Sequence, residues 1–435
     1  MAAGATVLGV PIGGAAWYRS RHVHVDLYSE TVAVTGDSSR ILILPGRAAE
    51  VLPGSRVLRG DPDVGRLHAD EAAWLAAGSA WTRTGPRSDL VRSAMLDLRA
   101  LLLPGGVAVA GWSSGWRYVW PRDASHVVAA LAATGHTDDA LLVLQFLQRV
   151  QRADGWFEAR YLPDGSGPPD RRPRQLDGVG WVLWATERLA AAHDDAHDEA
   201  GAARVVQSLR PMVMRSTQAA LDQANRPTGL PEASPDYWEI QEDTVTLGTA
   251  APLLAGLVAA TSLFQRIGDD TMSRSAADGA ARLGSAIHRQ FGRDGYPRNL
   301  GGDARDASIA FLLPPYVPDV QPAVQPAVVT ALAGARAGMR RPAGGFAPGE
   351  GWKQDGISWT PETALLALAA ASSGDTATAE QLLDWLGQHR TAAGSFPEKV
   401  LHDGAPAAVA PLSWTAATVV LTVATLQRPA TPSAS

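Results

Sequence analysis

The sequence predicts an all-α fold, an (α/α)6 barrel of about twelve helices, preceded by a short strand-containing N-terminal segment. Three observations predict it. From about residue 86 to 428, apolar residues recur at helical spacing in serial amphipathic segments with almost no strand signal. The connections between those segments alternate between short and long. The long ones, roughly 15 to 20 residues each, are unlike the helices in composition, and structureless loops of that length are usually functional. Paired helices with one plain end and one end carrying a site give this alternation. Two concentric rings of helices are its compact closed form. No strands separate the helices, which disfavours an α/β barrel.

The elements follow in order. Residues 1–85 contain HVHVDLYSETVAV and SRILILPG, alternating or apolar runs between turn residues, which read as a few short strands packed on the barrel. Helical segments are expected at 87–103, 121–134, 137–152, 175–193, 199–224, 241–265, 268–290, 306–313, 320–339, 359–373, 375–390 and 411–427. Pro121 and Asp123 mark a helix start, and Gly135 and Gly374 mark stops. The tail from 429 to 435 reads as disordered.

Composition narrows the function classes. The chain has 435 residues, 46% hydrophobic and 19% charged, an ordinary globular balance with ample core. A net charge of −6 argues against nucleic acid or an anionic membrane surface as partner. The absence of cysteine excludes disulfides and thiolate metal sites. The opening stretch MAAGATVLGVPIGGAAWYRSR lacks a basic n-region and is broken at Pro11, so it reads as strand-rich rather than as a signal peptide or anchor. No later run of roughly 20 residues is apolar without charge or turn signals. A cytoplasmic protein with no membrane partner is expected; its oligomeric state is left open. Tryptophan is the outlier, with 14 Trp against 7 Tyr and 7 Phe. An indole is a flat face with one N–H, suited to stacking on sugar rings, although core filling is the simpler role for any single one.

The six long loops are expected on one face. They carry GWRYVWPRD (115–123), GWFEARYLPDG (155–165) ending in Gln175 to Asp177, PEASPDYWE (231–239), GYPRN (295–299) closing at Asp306, GGFAPGEGWKQDGISW (344–359), and GSFPEK (394–399) with His402 and Asp403. Aromatics and carboxylates interleave in nearly every one. Carboxylates and arginines bind hydroxyls and aromatic faces cover rings, so the pattern points to a polyhydroxylated ligand. The stretch His193 to Asp198 contains a D-D-x-x-D pattern and two histidines at i, i+4, but it lies in a short turn on the opposite face and reads as solvated. No phosphate-cradling glycine loop appears, and no metal or cofactor is expected.

These motifs resemble glycoside hydrolase family 15, the glucoamylase-like enzymes. WRYVWPRDAS is similar to the family's W-x-R-D signature, PDYWEIQED to its acid loop, and SFPEKV followed by APLSWTAATVV to its base loop. RQLDGVGWVLWA and RDASIAFL resemble further family segments, and the order of motifs matches from about 100 to 427. The resemblance implies an inverting exo-acting glucoside hydrolase of short oligosaccharides, with Glu239 as general acid and Glu398 as general base. It implies that Arg122 and Asp123, with Trp120 and Tyr118 alongside, grip the terminal glucose, and that Trp238 and Trp352 belong to the pocket. Asp177 reads equally as a pocket-wall ligand and as a helix-start residue. Isomaltose-type substrates are favoured, then maltose-type, with the trehalose bond as a further possibility within the family. An α/α-toroid lyase or cyclase and an inactive sugar-binding protein are the rival classes.

The chemistry needs one carboxylic acid to protonate the leaving oxygen and a second group to assist water from the opposite face, with about 6.5–9.5 Å between them in the inverting mode. Burial of Glu239 against Tyr237 and Trp238, with Asp236 and Glu242 nearby, is expected to keep it protonated. Two departures stand out: Pro169 to Pro173 replaces an aromatic expected before the Gln-x-Asp segment, and Phe346-Ala-Pro replaces an Arg-Tyr after the fifth loop's glycines. Both bear on the leaving-group side. Only about 85 residues precede the barrel, where the family usually carries a large β-sandwich.

Overall fold

The computed structural model describes residues 23–318 and 324–427. The opening stretch to residue 22 and the tail from 428 lie outside the described residues.

The N-terminal segment begins with a hairpin of β1 (Thr31–Val34) and β2 (Arg40–Ile43), antiparallel with Thr31 opposite Ile43. Helices α1 (Val64–Ala77) and α2 (Trp81–Thr84) follow. The barrel then starts with α3 (Ser88–Leu101), whose end carries the small pair β3 (Leu102–Leu103) and β4 (Val107–Ala108). After it come α4 (Pro121–Ala133), α5 (Thr137–Val150), α6 (Asp177–Asp195), α7 (Glu199–Ser208), α8 (Arg210–Ala224), α9 (Leu247–Arg266) and α10 (Asp270–Gln290). A 3-10 turn at Ala307–Leu312, α11 (Gln325–Met339), α12 (Thr360–Ser372), α13 (Thr376–Gln388) and α14 (Ser413–Gln427) complete it.

Each of the twelve expected segments has a counterpart, and two concentric rings result. The inner ring runs α4, α6, α9, the 3-10 turn, α12 and α14, and closes because α14 packs back on α4. The outer ring is α3, α5, the α7–α8 pair, α10, α11 and α13. Inner helices are buried almost all round, whereas outer ones such as α10 bury a single stripe. That difference explains α9. It is apolar and long enough, by length and composition, to cross a membrane, although Gly248, Pro252 and Gly256 interrupt the run. Its apolar window is 83% buried between neighbours, so its composition serves the ring. Glycine permits the closest crossing there: a Cβ on Gly180 would lie 2.0 Å from the Pro252 carbonyl oxygen.

Three details differ from expectation. The outer helix expected at 199–224 is broken at Leu209, where Pro211 in the first turn of α8 cannot continue the preceding helix. The eighth segment is a 3-10 turn rather than an α-helix, capped by the Asp306 side chain on the Ser308 N–H. The helix after it, expected from 320 after a short connection, is described from Gln325.

All six long connections run from an outer helix to the N-terminus of the next inner helix. The six inner N-termini therefore converge on one end of the barrel. Partial positive charge at those ends favours acidic side chains in the first turn or at the cap. Asp123, Asp177, Asp306 and Glu362 occupy such positions.

Candidate active site

The converging loops enclose a cavity of about 370 Å³, enough for roughly a dozen waters at about 30 Å³ each, and so for a sugar ring with its hydroxyls. Glu239 and Glu398 both line it, with Trp120, Arg122, Asp123, Trp238 and Trp352. Seven of the nine singled-out residues therefore meet there. Tyr118 and Asp177 stand behind the wall. Tyr118 lies under the Arg160 guanidinium, 4.6 Å from it, and edge-on to Trp120. Asp177 is buried at the start of α6, accepts from Trp181 Nε1 at 3.1 Å and lies 3.6 Å from Arg122. It holds Arg122 rather than forming wall.

One short segment anchors both glutamates. Trp116 donates from Nε1 to Glu398 Oε1 at 3.1 Å, and Trp120 donates from Nε1 to Glu239 Oε1 at 2.5 Å. Trp116 was missed as a candidate, although its motif was quoted for its neighbours.

Glu239 ends a tight turn. The Asp236 side chain accepts the Trp238 N–H and its carbonyl accepts the Glu239 N–H. Glu239 itself is left-handed, with φ 56°. Such a conformation costs a non-glycine residue about 1 to 3 kcal/mol, and it persists where the surroundings over-determine it. Arg298 of the fourth loop supplies that constraint. It contacts Asp236 at 2.8 Å, Glu242 at 2.7 Å and Asp306 at 3.4 Å, and its guanidinium lies 4.1 Å over Trp238. The expectation that Asp236 and Glu242 press like charge on Glu239 thus needs correction, because Arg298 takes up both. The environment of Glu239 also differs from the aromatic burial foreseen. Arg172 pairs with its Oε2, and Arg122 approaches Oε1 at 3.7 Å. Arg172 comes from the departing segment 169–173.

Glu398 is held by a small sheet. Strands β5 (Ser358–Trp359), β6 (Lys399–Val400) and β7 (Pro406–Ala407) pair antiparallel, with Trp359 opposite Lys399. The Glu398 carbonyl accepts the Thr360 N–H and its own N–H donates to the Val409 carbonyl. Lys399 Nζ reaches Glu398 Oε2 at 3.1 Å and lies 4.3 Å over the Trp359 ring.

Arg122 and Asp123, each 5% exposed, line the pocket. Arg122 contacts Asp123 at 3.2 Å and lies 5.0 Å over Trp414. Burial pushes the Asp123 carboxyl up to about 6, against the pull of Arg122. Burial likewise raises Asp177 and Asp306 to about 6, opposed by Arg122 and Arg298 respectively. Glu362 goes further, to about 8, through burial first and then the neighbouring Glu398.

The cavity gathers buried polar atoms that have no hydrogen bond among the described residues: Arg122 Nε, Glu362 Oε2 and the indole Nε1 of Trp238, Trp352, Trp359 and Trp414. Leaving a buried donor or acceptor unpaired costs about 1 to 3 kcal/mol. A ligand rich in hydroxyls, each both donor and acceptor, matches such a set. Trp238, Trp352 and Trp359 form an edge-to-face row, with centroids 4.8 and 5.4 Å apart.

Glu362 escaped the sequence reading, yet a signal existed. WPRD (120–123) and WTPE (359–362) share a Trp, a Pro and then an acid at the start of an inner helix. The decoy at His193 to Asp198 lies at the connection from α6 to α7, where Asp198 caps α7 and Asp194 pairs with Arg266 at 2.7 Å.

Comparison with known proteins bears on the fold. No family model matches the chain. An uncharacterised glycosyl hydrolase from Methanocaldococcus jannaschii is 32% identical over 84 residues, 19% of this chain. That match spans only 13% of the relative's length. Among solved structures, a glycosidase variant in complex with glucose has a TM-score of 0.64 at 21% identity, covering 78% of this chain and 96% of its own. A bacterial glucoamylase complexed with acarbose has a TM-score of 0.66 at 18% identity, covering 84% of this chain and 59% of its own. A family 15 glucoamylase from Hypocrea jecorina has a TM-score of 0.60 at 15% identity, over 78% and 70%. The chain has the glucoamylase-like (α/α)6 barrel fold.

Proposed function

We propose that this protein is a glycoside hydrolase of family 15, an inverting exo-acting α-glucosidase that releases β-glucose from short oligosaccharides. The observation that carries the reading is that Glu239 and Glu398, from the third and sixth loops, line one cavity and are each tied to an indole of the same segment. The bound glucose and acarbose of the fold neighbours support a sugar ligand, as do the unpaired donors around the cavity.

Glu239 protonates the glycosidic oxygen and Glu398 assists the attacking water. As the C1–O bond breaks, its electron pair goes to the leaving oxygen, which takes the Glu239 proton. Water adds to C1 and passes its proton to Glu398, with inversion. Arg122 and Asp123 hold hydroxyls of the terminal sugar at the closed end of the pocket, which makes attack exo. Isomaltose-type linkages are preferred, then maltose-type. The departing segment 169–173, whose Arg172 reaches Glu239, supports a leaving-group side unlike that of a polymer-degrading relative.

Proton NMR of the first-formed sugar tests the reading: β-glucose from an α-glucoside is expected. α-Glucose would overturn inversion, an unsaturated product would indicate a lyase, and binding without turnover an inactive sugar-binding protein. A panel of isomaltose, maltose, trehalose and dextran ranks the linkage; fastest cleavage of trehalose would replace the isomaltose assignment.

A further inference from the structure

One carboxyl in the cavity has no part in the two-glutamate scheme. Glu362, in the first turn of α12, lines the cavity, is 3% exposed, and its Oε2 is buried without a hydrogen-bond partner. The charged and titratable groups that face it are Glu398 from the sixth loop, Arg122 from α4, Asp306 from the fourth loop and Tyr237 from the third. Arg122 is the one cation in that set, and it already contacts Asp123 and Asp177 and stacks on Trp414.

A helix N-terminus alone would favour an ionised carboxylate there. Burial and the adjacent Glu398 oppose that, and raise Glu362 to about 8. At neutral pH it therefore carries a proton. Its roles then differ from those of Asp123 and Asp306, which sit near 6 and are mostly acceptors at pH 7. A protonated carboxyl facing a polar cavity is a hydrogen-bond donor in need of an acceptor oxygen.

We infer that Glu362 is a specificity-determining residue whose carboxylic acid donates a hydrogen bond to one ring hydroxyl of the sugar held beside Glu398. The inference rests on the glucoside reading given above and names one group by which the pocket chooses its sugar. Sugars that lack that hydroxyl leave a buried donor unpaired, which is where polar pockets discriminate most.

Calorimetric binding of D-glucose and its monodeoxy analogues to the full-length protein, with hydrolysis assayed in parallel, tests it. In the wild type, one deoxy sugar should bind about tenfold more weakly than glucose, the worth of one good buried hydrogen bond. Glu362→Ala should erase that one discrimination and leave the others. Glu362→Gln, which keeps an N–H donor in the same shape, should retain it, and thermal unfolding checks that both variants fold. Wild-type affinity should also fall as pH rises through about 8, and the fall should be absent in Glu362→Gln. A Glu362→Ala protein with the full wild-type selectivity pattern overturns the inference while leaving the glucosidase reading intact. Glu362-dependent selectivity in a protein that hydrolyses no α-glucoside overturns the glucosidase reading and leaves the inference standing. Absence of any glucose binding overturns both.

Discussion

The two glutamates share a cavity but stand on opposite kinds of support. Glu398 is on a buried loop, paired into a three-stranded sheet on one side and buttressed by the N-terminal segment on the other. Behind it, Asp97 accepts from the Phe396 N–H at 3.0 Å and from Ser395 Oγ at 2.6 Å, and Arg56 Nε meets Asp97 at 2.8 Å. Residues 26–31 add backbone and side-chain bonds to 391–410, among them Tyr28 N–H to the Ala408 carbonyl and Ser29 Oγ to the Ala410 carbonyl. Glu239 instead ends a strained turn, and its closest cation, Arg172, has a side chain 41% exposed. The contrast suits the proposed chemistry, in which Glu398 is the base and Glu239 the acid. A base must hold one water at one angle, whereas an acid must accommodate leaving groups that come and go.

The largest effects come from the glutamates themselves. Glu239→Gln and Glu398→Gln should each lower kcat by about 10² to 10⁴ with sugar binding largely kept. Near-normal turnover in either variant would remove that residue from the scheme. Next comes the buttress. Arg56→Ala leaves Asp97, which is fully buried, without its cation. Breaking a buried pair in this way costs about 3 to 5 kcal/mol, readable by chemical denaturation. If the segment positions the base loop, kcat should fall too; lost stability with unchanged kcat would reduce its role to packing.

The Glu398 side also carries a pH signature. Glu362 titrates near 4.5 unfolded and about 8 folded. The folded state thus binds the extra proton between those values, and stability from this group is complete below about 4.5 and lost as pH rises toward 8. Asp123 and Asp306 act in the same direction between 3.8 and about 6. Urea midpoints should decline across the 4.5 to 8 window, and Glu362→Gln should flatten the upper part. An unchanged slope in that variant would show that Glu362 is ionised in the folded protein.

Much of this was legible in the sequence because it is local. Helical periodicity set the rings, and the alternation of short and long connections placed six loops on one end. Periodicity could not tell that 307–312 winds as a 3-10 turn, since all six residues are buried and so short an apolar run carries no helical period of either kind. The loops that bring Glu239 and Glu398 to one cavity stood out through aromatics beside carboxylates. Glu362 did not, because an acid after Pro361 reads as an ordinary first-turn residue until its burial and its neighbour Glu398 are known. The buttress was least legible of all. Arg56 in a connection and Asp97 in the second half of a helix each look like surface charges, and only the folded chain brings residues 29–31 against 391–410.

The smallest expected effect tests the more exposed half of the comparison. Arg172 is half-exposed, so its pair with Glu239 contributes little to folding, on the order of 1 kcal/mol or less. Arg172→Ala should leave Tm nearly unchanged. Its effect should appear instead in ionic strength, because exposed pairs are screened within about 10 Å at 0.1 M salt whereas buried ones are not. Wild-type KM should therefore depend on salt and the variant's should not, while the Lys399–Glu398 pair, inside the cavity wall, gives no such dependence. A salt response that survives in Arg172→Ala would place the labile contact elsewhere on the rim. A large loss of Tm would show that the acid side is as firmly built as the base side.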